Sequence, residues 1–578
     1  MIRQLLLFVA LSAFVISSAT AGSGRKKPVY ETEPDESRLH ELANVPYTKV
    51  PDPNWSTFQT PIGTPTTLSG FYDYQSNGGS IQHIRVNPAN GNIHVIYMLA
   101  EDSTAGGLSS SRRTGYAFSS NGGLTWNNFS NVRVPARLSG FPTLDLLRGP
   151  NAGLPVIANH SPITGTQSTI FVDSPEGSGA FSELNAPPTL PPAQQPVWPY
   201  IAGASDGSVT MMASQNIQNA TSGVAHQNRM PADFSGWGSW NAWPGDVQAG
   251  GRYPVQANGT GRVGILLNTS NGTAILGNRW RESTDNGLTW SEPTNIYGQR
   301  VAGADTFNSY VHCDFVYNGD TPYFVFSEYY LPANRNEHNI VFWSQATGFR
   351  IAVPYDTTKY KIDPVNQRFH ALALGWPSIG LSGNTIVVAY QAFQPDTDSR
   401  GYHYSDLWYV TSTNGGNTWS QPVRITDTPT IDERYPSVSK WNAPGQFNMT
   451  WSQKTKSGLY AFPGAADTVR ASQMFLRVTL SDVGEGGTNA PRAFRLAQNY
   501  PNPFNPVTKI DYTIAQAVPV SIKVYNALGQ EVATLVNETL SPGHYQATFD
   551  GGNLPSGVYF YKLTAGGYVE SKKMVLLR

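Results

Sequence analysis

Two arginines stand at matching places in a repeated phrase of this 578-residue chain: Arg252 precedes Tyr253-Pro254, and Arg434 precedes Tyr435-Pro436. A guanidinium so placed grips a carboxylate through two parallel N–H···O bonds, and aromatic rings beside it supply flat apolar faces. The rings available in the same phrase are Phe141, Trp198, Tyr253, Trp376 and Tyr435, with His312 in the slot between Tyr253 and Trp376. The carboxyl and phenol groups expected near them are Glu328 with Tyr329, and Asp432 with Glu433. His160, Glu328 and Gln391 end apolar runs that lead toward the same rim. Guanidiniums, rings and a few carboxylates around one mouth suit a saccharide. Glycoside hydrolysis needs two of those carboxyl groups to divide acid and nucleophile or base roles. Glycan binding without catalysis needs only the rings and the forks. A third reading needs no ligand: the aromatic-Pro phrase packs inner strands, and the arginines pair with Asp432 or Glu433.

These side chains ride on a repeat. Phe141-Pro142-Thr143-Leu144, Trp198-Pro199-Tyr200-Ile201, Tyr253-Pro254-Val255-Gln256, Trp376-Pro377-Ser378-Ile379 and Tyr435-Pro436-Ser437-Val438 are variants of aromatic-Pro-small-aliphatic. His312-Cys313-Asp314-Phe315 and Ile81-Gln82-His83-Ile84 occupy the remaining slots. Measured at the proline position, the steps are 60, 57, 55, 59, 64 and 59 residues. A β-branched and aromatic run follows most copies after a Gly/Asn turn, for example residues 93–97, 263–267, 323–326 and 386–390. A third run follows, as in 168–172 and 340–343. Short strands between turn residues at a fixed period predict antiparallel sheets arranged radially.

A second mark keeps the same period. Ser-x-Asp/Asn-x-Gly-x-Thr-Trp occurs as Ser119, Asn121, Gly123, Trp126, as Ser283, Asp285, Gly287, Trp290, and as Ser412, Asn414, Gly416, Trp419. The Asn or Asp side chain bonds backbone ahead of it, Gly supplies positive φ, and the Trp folds back onto a strand. The phrase resembles the Asp box of the bacterial neuraminidase repeat, found in sialidases and other β-propellers. The resemblance implies a structural hairpin on the outer rim of a blade, remote from any active site. The Arg-Tyr-Pro phrases are similar to the Arg-Ile/Leu-Pro motif that carries the first arginine of the sialidase triad. A third arginine, a Tyr/Glu nucleophile pair and an acid aspartate are not assignable here. The expectation is an all-β chain with a seven-bladed propeller over 62–482, six blades being the alternative. Closing the ring removes exposed sheet edges.

The ends speak a different language. Residues 1–21 read as a secretory signal: Arg3, an apolar stretch over 5–16, and small residues Ala19-Thr20-Ala21. That stretch is short for a membrane span. Residues 22–61 read as a polar linker and 483–493 as a Gly-rich hinge. Over 494–578, alternation such as Val518, Val520, Ile522, Val524 predicts a small β-sandwich. Its phrases Gln-Asn-Tyr-Pro-Asn-Pro-Phe-Asn-Pro (498–506), Leu-Gly-Gln-Glu-Val (528–532) and Ser-Gly-Val-Tyr (556–559) resemble those of the type IX secretion C-terminal sorting domain. A carbohydrate-binding sandwich is the alternative. The resemblance implies export by the type IX machinery, then release or attachment to surface lipopolysaccharide.

With 14% charged residues and a net charge of −1, the chain carries no basic field for nucleic acid. Its single cysteine, Cys313, excludes an internal disulfide and sits where other copies have proline, which argues for burial. The sequence shows no metal-ligand spacing and no phosphate-cradling loop, so no metal or cofactor is expected. The expected role is recognition of extracellular glycan or protein, with a sialidase-like exo-glycosidase and a ligand-free surface protein as alternatives.

Overall fold

The structure is a computed structural model. It describes residues 63–577 except 73–74, 76–81, 105–109, 127–131, 162–167, 192–193, 216–222, 248–252, 271–274, 303–304, 331–337, 357–358, 362–372, 459–468, 481–493, 497, 500, 515–517 and 541–542. The expected signal, linker and hinge therefore lie outside the described residues. The chain divides into two compact units, Met1–Asp482 and Val483–Arg578.

In the first unit the regular structure of the described residues is strand apart from one short 3-10 turn, Gly149–Asn151, and it is gathered in seven sheets that follow chain order. The second sheet shows the plan: Gly140–Leu146, Pro155–His160, Ser168–Asp173 and Phe181–Glu183 pair antiparallel from first to last. The inner strands of the others contain residues 84–86, 196–203, 255–257, 305–318, 374–382 and 432–438. The seventh sheet is not contiguous in sequence. Thr64–Gly70 pairs with Ala471–Thr479, so the start of the unit completes the sheet made by its end.

Strands such as Ile93–Leu99 are buried at every position. The cause is apolar side chains on both faces, each face meeting a different neighbour. In the sixth sheet Ile386, Val388 and Tyr390 face the fifth, while Val387 and Ala389 face the seventh. Every neighbouring pair of sheets shares one such cluster. The last joins Leu68 and Phe475 of the seventh sheet to Ile84 and Tyr97 of the first. Burying each aliphatic side chain contributes about 1.5–3 kcal/mol.

Polar groups tie the inner strands together. Arg85 Nε meets Asp145 Oδ1 at 2.8 Å, and Arg85 also donates to Gln256 Oε1 at 3.2 Å. Lys440 Nζ bonds Asp314 and, at 3.1 Å, the Ile379 carbonyl. All four charged groups are buried. Burial pulls the Lys440 amine down to about 8 against the opposing pull of Asp314. Cys313 is buried in the apolar cluster between the fourth and fifth sheets.

The three Ser-x-Asp/Asn turns close identically. In the second, Ser283 Oγ accepts from Gly287 N–H at 2.8 Å, and Asp285 Oδ1 accepts from Thr289 N–H at 2.9 Å. The same bonds recur at Ser119/Asn121 and Ser412/Asn414. Each turn leans on the preceding sheet: Trp126 on Phe475, Trp290 on Trp243 and Trp419 on Phe342, with centroids 5.2–5.4 Å apart. Gly416 has φ +91, and a Cβ there would sit 2.0 Å from the Phe342 ring. Glycine is required twice over, by conformation and by space.

The second unit is two sheets. One orders Arg495–Leu496, Val507–Ile514 and Gly543–Asp550; the other orders Glu531–Leu540, Val518–Asn526, Gly557–Ala565 and Tyr568–Leu576. Val520, Ile522 and Val524 point into a shared core with Ile510, Phe549, Tyr561 and Leu563, as their alternation predicts. In the Asn-Tyr-Pro-Asn-Pro-Phe phrase, Asn499 and Phe504 are buried while Pro501, Asn502 and Pro503 are exposed. Asn499 N–H donates to Tyr561 Oη at 2.8 Å, and Phe504 N–H donates to the Val575 carbonyl at 2.9 Å.

Candidate functional site

In the second, third, sixth and seventh sheets the aromatic-Pro phrase is a β-bulge in the first strand. Register slips at Gly140/Thr143, Gly375/Ser378 and Arg434/Ser437. There Phe141, Trp198, Trp376 and Tyr435 take φ of 49°, 51°, 54° and 61°. A bulky side chain in that region costs about 1–3 kcal/mol and persists only where surroundings over-determine it. Here the surroundings are side chains from the preceding sheet that accept the aromatic's own N–H. Met98 Sδ serves Phe141 at 3.1 Å, His160 Nε2 serves Trp198, His312 Nδ1 serves Trp376 at 3.3 Å, and Gln391 Oε1 serves Tyr435 at 3.0 Å. The rings follow one another: Phe141 to His160 at 5.3 Å, His160 to Trp198 at 5.9 Å, His312 to Trp376 at 4.0 Å, Trp376 to Tyr435 at 4.8 Å. Tyr253 joins them by donating its hydroxyl to the Trp198 carbonyl at 2.8 Å. Trp198 and Phe141 stay half-buried, while Tyr253, His312, Trp376 and Tyr435 are buried.

The charged candidates fare differently. Arg252 lies outside the described residues. Arg434 is buried, its Nε bonded to Asp432 at 2.6 Å and its guanidinium 5.0 Å over the Phe393 ring. Asp432 also accepts from Ser405 N–H and Oγ at 3.1 and 2.9 Å, joining the sixth sheet to the seventh. Arg434, expected to grip a ligand, thus gives its Nε–H to a carboxylate of its own strand. Glu433 is buried against Asp406, and burial with that like charge drives its carboxyl well above the usual range. Asp406 is raised to about 6 by burial, against the pull of Arg424. Glu328 accepts from Arg300 at 2.6 and 2.7 Å, from Tyr297 Oη at 2.5 Å and from Asn339 at 2.8 Å. These donors engage both of its oxygens and leave it a strand tie. Tyr329 ends the strand Thr321–Tyr330, and its side chain lies outside the described residues.

The rim contains a cation that sequence reasoning passed over. Arg112, just before the strand Arg113–Ser119, lies 5.6 Å from the Tyr72 ring and 5.3 Å from the Phe141 ring. Its Nε donates to the Ser139 carbonyl at 3.3 Å. No motif marks it, because its neighbours at 72 and at 139 and 141 belong to two other chain segments. His160 beside it is held neutral, its pKa pushed down to about 3 first by burial and then by the Arg112 charge. Among the described residues no group of His, Cys, Asp or Glu is arranged to hold a metal. A half-buried ring such as Phe141 can stack on a sugar while the guanidinium beside it bonds the sugar's oxygens.

No curated protein matches the chain. Among solved structures it is similar to a protein of unknown function from Dyadobacter fermentans, at 12% identity and TM-score 0.37, covering 61% of this chain and 98% of that one. It is similar to a PL25 ulvan lyase at 12% identity and TM-score 0.34, covering 69% and 94%. It is also similar to an α-L-arabinofuranosidase from Fusarium graminearum at 12% identity and TM-score 0.35, covering 62% and 99%. At such identities and scores these likenesses carry no functional weight. Residues 498–577 match the secretion system C-terminal sorting domain. No helix among the described residues is long and apolar enough to cross a membrane. The C-terminal unit is a type IX sorting domain, and it marks the chain for export across the outer membrane.

Proposed function

We infer that the first unit is a seven-bladed β-propeller, delivered to the cell surface or medium, that binds extracellular glycan at the rim where its inner strands begin. Support for the architecture comes from the cyclic order of seven apolar clusters and from the Thr64–Gly70 strand completing the last sheet. The observation that carries the binding reading is the run of rings held in strained backbone at one end of the inner strands, with Phe141 and Trp198 still partly open to solvent. Binding is favoured over hydrolysis because Glu328, Asp432 and Glu433 are buried and engaged in ties between strands.

A glycan array probed with the purified chain tests this. Binding to one saccharide class, lost in Phe141→Ala/Trp198→Ala, is expected; an array with no signal would end the reading. Removing residues 494–578 is expected to leave the folded first unit in the periplasm, because the address is lost and the core is not. Unchanged surface and medium levels would contradict delivery by that unit.

A further inference from the structure

We propose that the surface at Arg112 takes the carboxylate of an acidic saccharide, with Arg112 as the fork and Phe141 and Trp198 as sugar platforms. The proposal rests on the glycan-binding reading and names the class of sugar.

Three observations converge. First, Arg112 has no ion pair among the described residues, whereas Arg85, Arg133, Arg137 and Arg434 each meet a carboxylate. Its contacts among the described residues are one carbonyl at Nε and two rings. A half-buried guanidinium has lost part of its water, and ring faces restore only part of that loss. Its two Nη groups keep the parallel donors that match a carboxylate.

Second, the slot that holds it is kept open by an absence. Gly140 has no positive φ, so its conformation does not call for glycine. A Cβ there would lie 2.5 Å from Arg112 Nε and 3.0 Å from its Cδ. Glycine at 140 is explained by the room it leaves for the arginine.

Third, a second donor stands beside the first. His160 accepts the Trp198 N–H at Nε2, so its proton is on Nδ1. Nδ1 has no partner among the described residues, although the residue is only 4% exposed. That N–H is free to donate to a ligand oxygen. The His160 ring lies between Phe141 and Trp198. A uronate and a sialate both present a planar carboxylate on a ring with apolar faces, so both fit.

The test is calorimetric titration of the full chain with oligogalacturonate and with sialyllactose, against methyl-esterified oligogalacturonate and lactose. Wild type should prefer one acid over its neutral counterpart by roughly 10- to 100-fold, the scale of a charge-assisted pair; which acid wins distinguishes uronate from sialate. Arg112→Gln should erase that preference, and Arg112→Lys should keep only a small part of it, since a point charge is not a fork. Gly140→Ala meets only flexible ends of Arg112 and Met98, so it should fold, crowd the guanidinium and weaken acid binding too. If Arg112→Gln fails to fold, Gly140→Ala decides. Equal affinity for acid and neutral sugars, or an acid preference that survives these variants, overturns the proposal and leaves the glycan reading standing. Binding to no saccharide removes both.

Discussion

The two repeated phrases of the first unit solve the same problem in opposite ways. Each must turn the chain sharply and seat a large ring. The rim turn finds its partners within five residues: Ser283 Oγ takes Gly287 N–H and Asp285 takes Thr289. The aromatic-Pro bulge finds its acceptor about 40 to 65 residues earlier, and the acceptor changes from Met98 to His160 to His312 to Gln391. A self-contained turn can be copied without change. A bulge closed by a neighbour must be re-solved in each sheet that has one, and each solution puts different chemistry at the mouth. The lesson is that the uniform repeat marks scaffold and the variable one marks where function can settle.

The largest effect is expected at the seventh sheet. Asp432→Ala leaves Arg434 buried without its carboxylate and should cost about 3–5 kcal/mol, read as a fall in the urea midpoint, with saccharide affinity of the remaining folded protein unchanged. A loss of affinity at constant stability would return Arg434 to the ligand.

At the rim, Gly416→Ala forces a side chain into φ +91 and into the Phe342 ring. It should cost about 3 kcal/mol from strain and overpacking together. A neutral result would show that the turn can slide away from the fifth sheet, and that its fit is looser than its hydrogen bonds imply.

The Asp406–Glu433 pair predicts a pH effect of specified sign. Both carboxyls have folded pKa values raised above their unfolded ones. Their contribution is complete below the unfolded value near pH 4 and is lost as pH rises through about 6 and beyond. Chemical denaturation at pH 4 and pH 7.5 should show wild type losing on the order of 1–3 kcal/mol relative to Glu433→Gln. Parallel curves for the two proteins would mean the pair is ionised and paired elsewhere.

The smallest effect is expected at His160→Gln. Gln391 already performs the same task for Tyr435, so the substitution should change stability by less than about 1 kcal/mol. A large loss would mean that the imidazole, and not merely an acceptor, holds the Trp198 bulge.

What short-range bonds fix could be read along the chain. The three rim turns, the period of the inner strands and the alternating strands of the C-terminal unit were all legible, because each depends on residues within one or two turns of the chain. Even the ion pair of Arg434 with Asp432 stood among the readings, two residues apart on one strand. Tertiary structure decided the rest. That Arg434 is closed and buried follows from Ser405 and Phe393, supplied by the sixth sheet. That Arg112 stands at the rim follows from Tyr72, Ser139 and Phe141 arriving from both sides in sequence. That Thr64–Gly70 completes the sheet begun at Asp432 depends on a pairing about 400 residues long. Backbone hydrogen bonding and side-chain alternation are fixed locally, whereas which charge meets which is settled only when distant strands pack and exclude water, since burial is what makes an unpaired charge costly.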